Sequence, residues 1–283
     1  MELVDSHHHL WFIDDSNLNW LSDDMRAAGG APIADFGLPQ LEETFAAVGV
    51  NRSVLIEAWH AEEDQIQWLE ATAEHLVVGA VIAWAPLESP DLGSRLDRFA
   101  AYPKFRGLRI NAQDEPDPDY LQRPDIRAGI AQLAEREGMT LDLLIKLGDL
   151  KDVPDLCANF PDLPMVLDHL AKPQTYQDGY FEPWRDLMRP LVDIPNLQFK
   201  LSGMLTEAGP APTAPQLARP VRFMLEEFGP SRLMWGSDWP VCLYAAGYRE
   251  NFALMQAAIG PLPAHDRAAV FGKNAAAHYR LAD

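Results

Sequence analysis

The chain has 283 residues, of which 48% are hydrophobic and 23% are charged, as in an ordinary globular protein. Its formal net charge of -19 argues against nucleic acids, anionic membranes and polyanionic substrates as partners, because these ligands need a basic surface. No apolar run reaches the roughly 18 residues that span a membrane, and the chain opens without the pattern of a signal peptide. Cys157 and Cys242 are too few for a disulfide framework, so a cytoplasmic protein is expected.

Short apolar segments alternate along the chain with amphipathic ones. The apolar segments predict eight strands, at Leu3–His7, Ser53–Ala58, Val77–Ala83, Phe105–Ile110, Thr140–Ile145, Met165–Asp168, Leu197–Leu201 and Leu233–Gly236. The amphipathic segments predict helices at Leu38–Val48, Asp64–Glu74, Leu92–Ala101, Ile126–Glu137, Leu147–Phe160, Pro183–Val192, Gln216–Phe228, Tyr248–Ile259 and Pro263–Tyr279.

Eight strands that alternate with helices in a chain of this length predict a single-domain (β/α)8 barrel of the TIM type over residues 1–283. Several strands are uninterrupted apolar runs, as expected where both faces of parallel strands are buried. A doubly wound sheet is the alternative, but no Gly-rich nucleotide-binding turn follows an early strand. Three long connections that follow strands are candidate binding loops: Trp11–Ala34, Asn111–Pro124 and Thr206–Pro215.

The first predicted strand leads into His7, His8 and His9. Because successive side chains of a strand point to opposite faces, His7 and His9 project to one side and His8 to the other. Such a pair of imidazoles can give two nitrogens to one metal ion or form one polar wall of an active site. A run of surface histidines is the alternative interpretation.

Polar residues recur at the ends of other predicted strands, where barrel enzymes build their sites. Strand four ends in Arg109 and Asn111, strand six leads into His169, strand seven carries Lys200 and strand eight leads into Asp238. Taken singly they have local explanations, such as a turn, a rim lysine or a helix N-cap. Together with His7 and His9, they supply three imidazoles and a carboxylate, enough to hold one zinc-like ion or to position one water molecule.

Four motifs resemble signatures of the amidohydrolase superfamily. They are DSHHHLW at Asp5–Trp11, LDHLAKP at Leu167–Pro173, KLSG at Lys200–Gly203 and WGSDWP at Trp235–Pro240. The resemblance extends over essentially the whole chain and is strongest to the lactonase-type amidohydrolase 2 branch. This branch includes sugar lactonases that act on L-fuconolactone or L-rhamnonolactone, and 2-pyrone-4,6-dicarboxylate lactonase. The resemblance implies a (β/α)8 barrel and the hydrolysis of a cyclic ester.

The resemblance also implies roles for individual residues. His7, His9 and His169 would be the histidines of the barrel mouth, and Asp238 would be the general base. Relatives with two metal ions use a carboxylated lysine, usually on strand four, whereas Arg109 stands at that strand end here. The expectation is therefore at most one divalent, zinc-like ion, bound by those three histidines and Asp238, and metal-independent catalysis stays open.

Lactone hydrolysis requires a nucleophilic water molecule, a polarised carbonyl and stabilisation of the tetrahedral oxyanion. Asp238 is expected to take a proton from the attacking water and to deliver it to the ring oxygen as that oxygen leaves. Without a metal ion, His169 and the other histidines, together with Arg109, polarise the carbonyl. With one, the ion takes over this Lewis-acid role.

The expected partner is a small-molecule lactone. A sugar aldonolactone is neutral and rich in hydroxyls, and the residues expected to bind it are Glu57, Arg109, Asn111, Gln113, Lys146 and Trp239. A pyrone dicarboxylate would need several arginines at the mouth, whereas the pattern places Arg109 alone there. The alternatives are that dicarboxylate lactonase, a mononuclear-metal decarboxylase of the same superfamily, and a non-enzymatic binding protein. The oligomeric state is not predicted.

Overall fold

The computed structural model describes residues 2–12, 33–58, 61–209 and 211–281. In these ranges eight parallel strands form one sheet in sequence order. The strands are β1 Val4–His8, β2 Arg52–Ile56, β3 Val78–Ala83, β4 Phe105–Asn111, β5 Thr140–Leu144, β6 Met165–Leu167, β7 Leu197–Leu201 and β8 Leu233–Trp235. They agree with the predicted strands to within one or two residues at each end, which confirms the barrel.

The sheet closes on itself just beyond the end of β8. The N–H group of Asp238 donates to the His7 carbonyl at 2.8 Å, and that of His9 donates to the Trp239 carbonyl at 2.7 Å. Backbone hydrogen bonds thus join the end of the first strand, β1, to the residues that follow the last strand, β8. We call this junction the seam.

A buried carboxylate also links the two sides of the seam. Asp5 Oδ1 accepts a hydrogen bond from the Ser237 N–H at 2.9 Å, and Oδ2 accepts one from the Tyr248 hydroxyl at 2.8 Å. Burial raises the pKa of Asp5 to about 6, although these hydrogen bonds oppose the shift. The seam is therefore closed by a side chain as well as by the backbone.

Helices lie between the strands along the chain. The α-helices of the described ranges are Leu38–Ala46, Glu62–Thr72, Leu92–Ala100, Pro124–Ala134, Val153–Asn159, Phe181–Met188, Ala214–Glu227, Tyr248–Ile259, Ala264–Ala268 and Asn274–His278. None of these helices is long and apolar enough to cross a membrane.

Two predicted helices are interrupted. The predicted helix Leu147–Phe160 is a 3-10 turn at Leu147–Asp152 followed by an α-helix, which starts where a proline occupies its first turn. A proline is well tolerated in the first turn of a helix, because the N–H groups of that turn have no acceptor within the helix and proline has no N–H. The predicted helix Pro263–Tyr279 is divided by a π-helical turn at Ala269–Lys273.

The C-terminal segment packs against an apolar cluster contributed by five of the strands. The cluster comprises Val4, Val54, Ile56, Ala80, Ile82, Val166 and Met234, with Ala275, Tyr279 and Leu281 from the C-terminal segment. Arg106, at the start of β4, donates to the Tyr279 carbonyl at 3.1 Å. The C-terminal segment therefore covers the end of the barrel where the strands begin, and the polar residues collect at the other.

Of the three candidate binding loops, Asn111–Pro124 is fully described. Only the two ends of Trp11–Ala34 lie within the described residues, and Thr206–Pro215 is described apart from position 210.

Candidate active site

The four residues predicted at the centre of the site meet at the C-terminal end of the barrel. Asp238 Oδ1 lies 3.4 Å from His9 Nε2, 3.7 Å from His7 Nε2 and 4.0 Å from His169 Nε2. All four side chains are buried. The barrel thus assembles one compact cluster from residues at the ends of β1, β6 and β8.

His9 is oriented by two backbone carbonyls. Its Nδ1 lies 3.0 Å from the carbonyl oxygens of Ile56 and Glu57. Because carbonyls only accept, Nδ1 carries a hydrogen, and Nε2 is the ring nitrogen that faces Asp238. His8 points away from the cluster, with its Nε2 2.9 Å from Ser53 Oγ, as strand alternation predicts.

His7 stands on a buried ionic network. Lys200 Nζ lies 2.5 Å from Asp142 Oδ2, 3.1 Å from Asp168 Oδ1 and 3.2 Å from His7 Nδ1. Asp168 Oδ1 is also 3.3 Å from His7 Nδ1. The other ring nitrogen, Nε2, is buried without a hydrogen-bond partner among the described residues and faces Asp238. Lys200 is itself fully buried, so it is not a rim residue.

Burial and neighbouring groups shift the pKa values of His7, His169 and Asp238 in this cluster. Burial lowers the pKa of His7 well below its usual range and that of His169 to about 4, so both rings are neutral at pH 7. Burial alone would raise the pKa of Asp238, but the neighbouring His169 and His9 outweigh it and hold that pKa below its ordinary value. Asp238 is therefore an ionised carboxylate at neutral pH.

Strained backbone carries two of these side chains. Asp238 has a φ of 59°, and the four residues from His169 to Lys172 have φ values of 52° to 56°. This left-handed conformation costs a non-glycine residue about 1–3 kcal/mol. The turn is held by packing, since Leu170 is fully buried and its carbonyl accepts a hydrogen bond from Trp184 Nε1 at 2.8 Å. We call residues 169–172 the left-handed turn.

The loop after β7 fixes the ring of His169. Ser202 Oγ lies 2.9 Å from His169 Nδ1. The next residue, Gly203, has a φ of 64°, and a Cβ there would lie 2.5 Å from the same nitrogen. Only glycine allows the backbone to approach the ring this closely. This contact explains the Ser-Gly pair of the KLSG motif.

Above the cluster lies a cavity of about 130 Å³, which we call the reaction cavity. Three of the predicted substrate-binding residues line it together with His9, His169 and Asp238, namely Arg109, Asn111 and Gln113. The structure therefore brings these three predicted residues together with the cluster.

Arg109 is hydrogen-bonded to Glu57, whereas Asn111 has a side-chain oxygen that can accept a hydrogen bond from a ligand. Arg109 Nε donates to Glu57 Oε1 and one terminal nitrogen donates to the Glu57 carbonyl, both at 2.7 Å. Asn111 Nδ2 donates to Asp114 Oδ2 at 3.2 Å, whereas its buried Oδ1 has no partner in the described part of the chain. Asn111 thus offers a buried acceptor.

Three predicted binding residues do not line the reaction cavity: Glu57, which pairs with Arg109, and Lys146 and Trp239. Lys146 lies in an adjoining cleft, and its Nζ donates to the Gln113 carbonyl at 2.9 Å. Trp239 is buried, and its ring packs edge-on against Phe36 at 5.2 Å between centroids. Trp239 thus has a packing environment in the structure.

Sequence reasoning assigned no role to Asp142 and Asp168, the acids of the buried network. A signal was available, because a charged residue inside an apolar strand needs a partner when it is buried. Asp142 in β5 and Lys200 in β7 are such residues of opposite charge. Burial raises the pKa of Asp142 to about 6, although Lys200 opposes this shift.

The cluster fits one divalent cation. The donor atoms of His7, His9 and Asp238 all lie within 4.8 Å of one another. Tetrahedral zinc with bonds of about 2.0–2.2 Å places its ligand atoms about 3.3–3.6 Å apart, close to the distances of 3.4 and 3.7 Å measured from Asp238. The unpartnered Nε2 of His7 and the Nε2 of His9 are suitable ligands.

Comparison with known proteins places the chain in a family. The family model described as amidohydrolase matches residues 4–281. An L-fucono-1,5-lactonase of Burkholderia ambifaria is 33% identical over 98% of this chain and 95% of its own length. A crystal structure of an amidohydrolase from Burkholderia multivorans with bound zinc is 32% identical, with a TM-score of 0.90 and full coverage of both chains. A probable 2-pyrone-4,6-dicarboxylic acid hydrolase from Acinetobacter baumannii, 16% identical with a TM-score of 0.79 and coverage of 99% of this chain and 100% of its own, shares the fold. As its motifs predict, the chain belongs to the amidohydrolase family.

Proposed function

We propose that this protein is a lactonase that opens the ring of a sugar aldonolactone and releases the hydroxy acid. The observation that carries the proposal is a buried Asp238 carboxylate within 4.0 Å of three imidazole nitrogens, beside a small cavity that Asp238 helps to line. The similarity to L-fucono-1,5-lactonase supports a sugar lactone as the substrate class.

Asp238 acts as the general base in this proposal. It takes a proton from a water molecule whose oxygen attacks the lactone carbonyl carbon. The bond between that carbon and the ring oxygen then breaks, and Asp238 returns the proton to the departing oxygen. General-base assistance of this kind contributes about 10²- to 10⁴-fold to the rate. A lactone suits a base of low pKa, because a cyclic ester needs less assistance than an amide.

The histidines stabilise the developing oxyanion. When Lys200 donates to His7 Nδ1, the neutral ring carries its hydrogen on Nε2, which faces the cluster. In the same way, a hydrogen bond from the Ser202 hydroxyl to His169 Nδ1 leaves an N–H on Nε2. The N–H of His169, which lines the reaction cavity, can then donate to the carbonyl oxygen, while the N–H of His7 faces Asp238. A divalent ion bound by His7, His9, His169 and Asp238 would supply Lewis-acid polarisation of that carbonyl instead.

The cavity lining favours a neutral sugar over a dicarboxylate. Among its described lining residues Arg109 is the only arginine, and it is already paired with Glu57. A pyrone dicarboxylate carries two charges, and among the described lining residues only Lys172 would offer it an unpaired cation. By contrast, Asn111 Oδ1 and the Gln113 side chain suit the hydroxyls of an aldonolactone.

The test is acid release, followed with a pH indicator, from aldonolactones and from 2-pyrone-4,6-dicarboxylate. Wild-type protein and Asp238→Asn are compared before and after chelation, with metal content measured. We expect sugar lactones to be hydrolysed and Asp238→Asn to be about 10²- to 10⁴-fold slower. Asp152→Asn controls for the loss of a carboxylate that is similarly buried but lies outside the cavity.

Three results would contradict the proposal. Wild-type turnover by Asp238→Asn would exclude Asp238 as the base. Hydrolysis of the pyrone but of no sugar lactone would exclude the substrate class. Release of CO₂ from an aromatic acid, without lactone hydrolysis, would identify a decarboxylase. Activity retained by metal-free protein would assign carbonyl polarisation to the histidines.

A further inference from the structure

A cleft of about 640 Å³ adjoins the reaction cavity. Gln113, Asp114 and Lys172 line both spaces, so the two meet at these side chains. The reaction cavity alone is smaller than the roughly 300–1,000 Å³ of typical ligand pockets, whereas the cleft falls within that range. The cleft can therefore hold a whole chemical group beyond the lactone ring.

The lining of the cleft is polar and of mixed charge. It includes the ammonium groups of Lys146 and Lys172 and the carboxylates of Asp178 and Glu207. An apolar ligand would leave these groups without partners, and a polyanion would meet the two carboxylates. Each hydroxyl of a neutral sugar both donates and accepts, so a sugar can pair with all of them.

Two of these groups are available for a ligand. Lys172 and Glu207 are half-buried, and within the described ranges neither the ammonium nor the carboxylate forms a hydrogen bond or a salt bridge. Burial raises the pKa of Glu207, while Lys172 opposes this shift, so the two groups are close enough to interact without pairing. A half-buried polar group that lacks a protein partner is suited to pairing with a ligand.

The left-handed turn connects the two spaces. It begins at His169 in the reaction cavity and ends at Lys172, which lines both the cavity and the cleft. Strained backbone persists in proteins mainly where it positions functional groups. The left-handed turn thus positions both His169, for the reaction, and Lys172, for binding in the adjoining cleft.

From these observations we propose that the cleft is a subsite for a glycosyl unit attached to the lactone. The preferred substrates are then lactones of glycosylated aldonic acids, such as those derived from disaccharides. This inference rests on the proposed lactonase function and specifies its substrate class.

A bulky substitution at Gly148, which lines the cleft, can test the proposed subsite by occupying it. Gly148 lines the cleft but not the reaction cavity, and a Cβ on its ordinary backbone would meet no atom of the described residues within 4 Å. Because Gly148 lines the cleft, we expect Gly148→Trp to place an indole in the space of the proposed sugar. Gly247 is equally exposed and open but lines neither space, so Gly247→Trp is the matched control.

The readout is the ratio of kcat/KM for cellobiono-1,5-lactone to kcat/KM for glucono-1,5-lactone. We expect wild-type protein to favour the glycosylated substrate and Gly148→Trp to lower the ratio by about tenfold or more, mainly through KM. The ratio for Gly247→Trp should stay within about twofold of wild type. Glu207→Ala, which removes a cleft group, gives a second comparison if Gly148→Trp fails to fold, and it should also lower the ratio.

The outcomes separate this inference from the function on which it rests. If wild-type protein hydrolyses glucono-1,5-lactone but is less active on the glycosylated lactone, the subsite proposal is refuted and the proposed lactonase function is not. The same holds if the cleft variants slow both substrates equally. If neither lactone nor any other aldonolactone is hydrolysed, the lactonase proposal fails, and the subsite with it.

Discussion

Gly203→Ala tests whether the position of His169 limits the reaction. The new Cβ would lie 2.5 Å from Nδ1 and 2.6 Å from Cγ of that ring. Ordinary contacts begin near 3.4 Å, so the ring has to retreat by about 0.9 Å or the loop has to shift. Retreat is opposed by Ser202, whose hydroxyl holds Nδ1 at 2.9 Å.

The size of the effect follows from this displacement. Misplacing a reacting group by about 1 Å costs about 100-fold in rate. We therefore expect kcat/KM for an aldonolactone to fall by about 100-fold, equivalent to about 2.7 kcal/mol of transition-state stabilisation. Alanine in the left-handed conformation of Gly203 should also destabilise the fold by about 1–2 kcal/mol.

Gly229→Ala isolates the clash from the backbone strain. Gly229 has a φ of 78°, but a Cβ there would meet no atom within 4 Å in the part of the chain that the structure describes. Urea unfolding and kcat/KM are measured for both variants. Both should lose stability, and only Gly203→Ala should lose the rate. If Gly203→Ala keeps more than about half of the wild-type kcat/KM, the requirement for a positioned His169 is refuted.

Lys200→Met removes the cation that pairs with the buried carboxylates of Asp142 and Asp168, although Arg109 Nη1 still lies 3.9 Å from Asp168. We therefore expect urea unfolding to show a loss of about 3–5 kcal/mol; a loss below about 1 kcal/mol would contradict the network. Burial, with a smaller contribution from Lys200, lowers the pKa of His278 from 6.5 to about 3. The imidazole of His278 therefore binds a proton at a higher pH in the unfolded chain than in the folded one. As the pH falls from about 6.5 towards 3, the free energy of unfolding should decrease by about 1.4 kcal/mol per pH unit, relative to that of His278→Gln. Parallel stability profiles of the two proteins would refute that assignment. Arg109→Lys keeps the charge but not the two-pronged contact with Glu57, and kcat/KM should fall by about tenfold or more; an unchanged value would show that the contact is dispensable.

The barrel could be predicted because its strands are short apolar runs between recognisable helices. The seam also follows from chain order, since a barrel of eight parallel strands must bring its first and last strands together. The orientation of His7, His8 and His9 was predictable as well, because a strand alternates its side chains.

Other features depend on contacts that no local pattern encodes. Trp239 follows Asp238, whose left-handed backbone breaks the alternation that would give the direction of the next side chain. Lys146 follows β5, and loop geometry alone decides that it lines the cleft. The depth of Lys200 depends on its pairing with Asp142, 58 positions away. Each of these placements is set by tertiary structure.

The seam has a consequence for how the protein acquires activity. The contact of Asp5 with Ser237 spans 232 positions, so it forms only when nearly the entire chain has been gathered. A partly folded chain can contain most of the strands and still lack Asp238 beside His7 and His9. Catalysis would then report completion of the whole barrel: during refolding it should return after the helical signal, and a nascent chain should stay inactive until β8 has been synthesised.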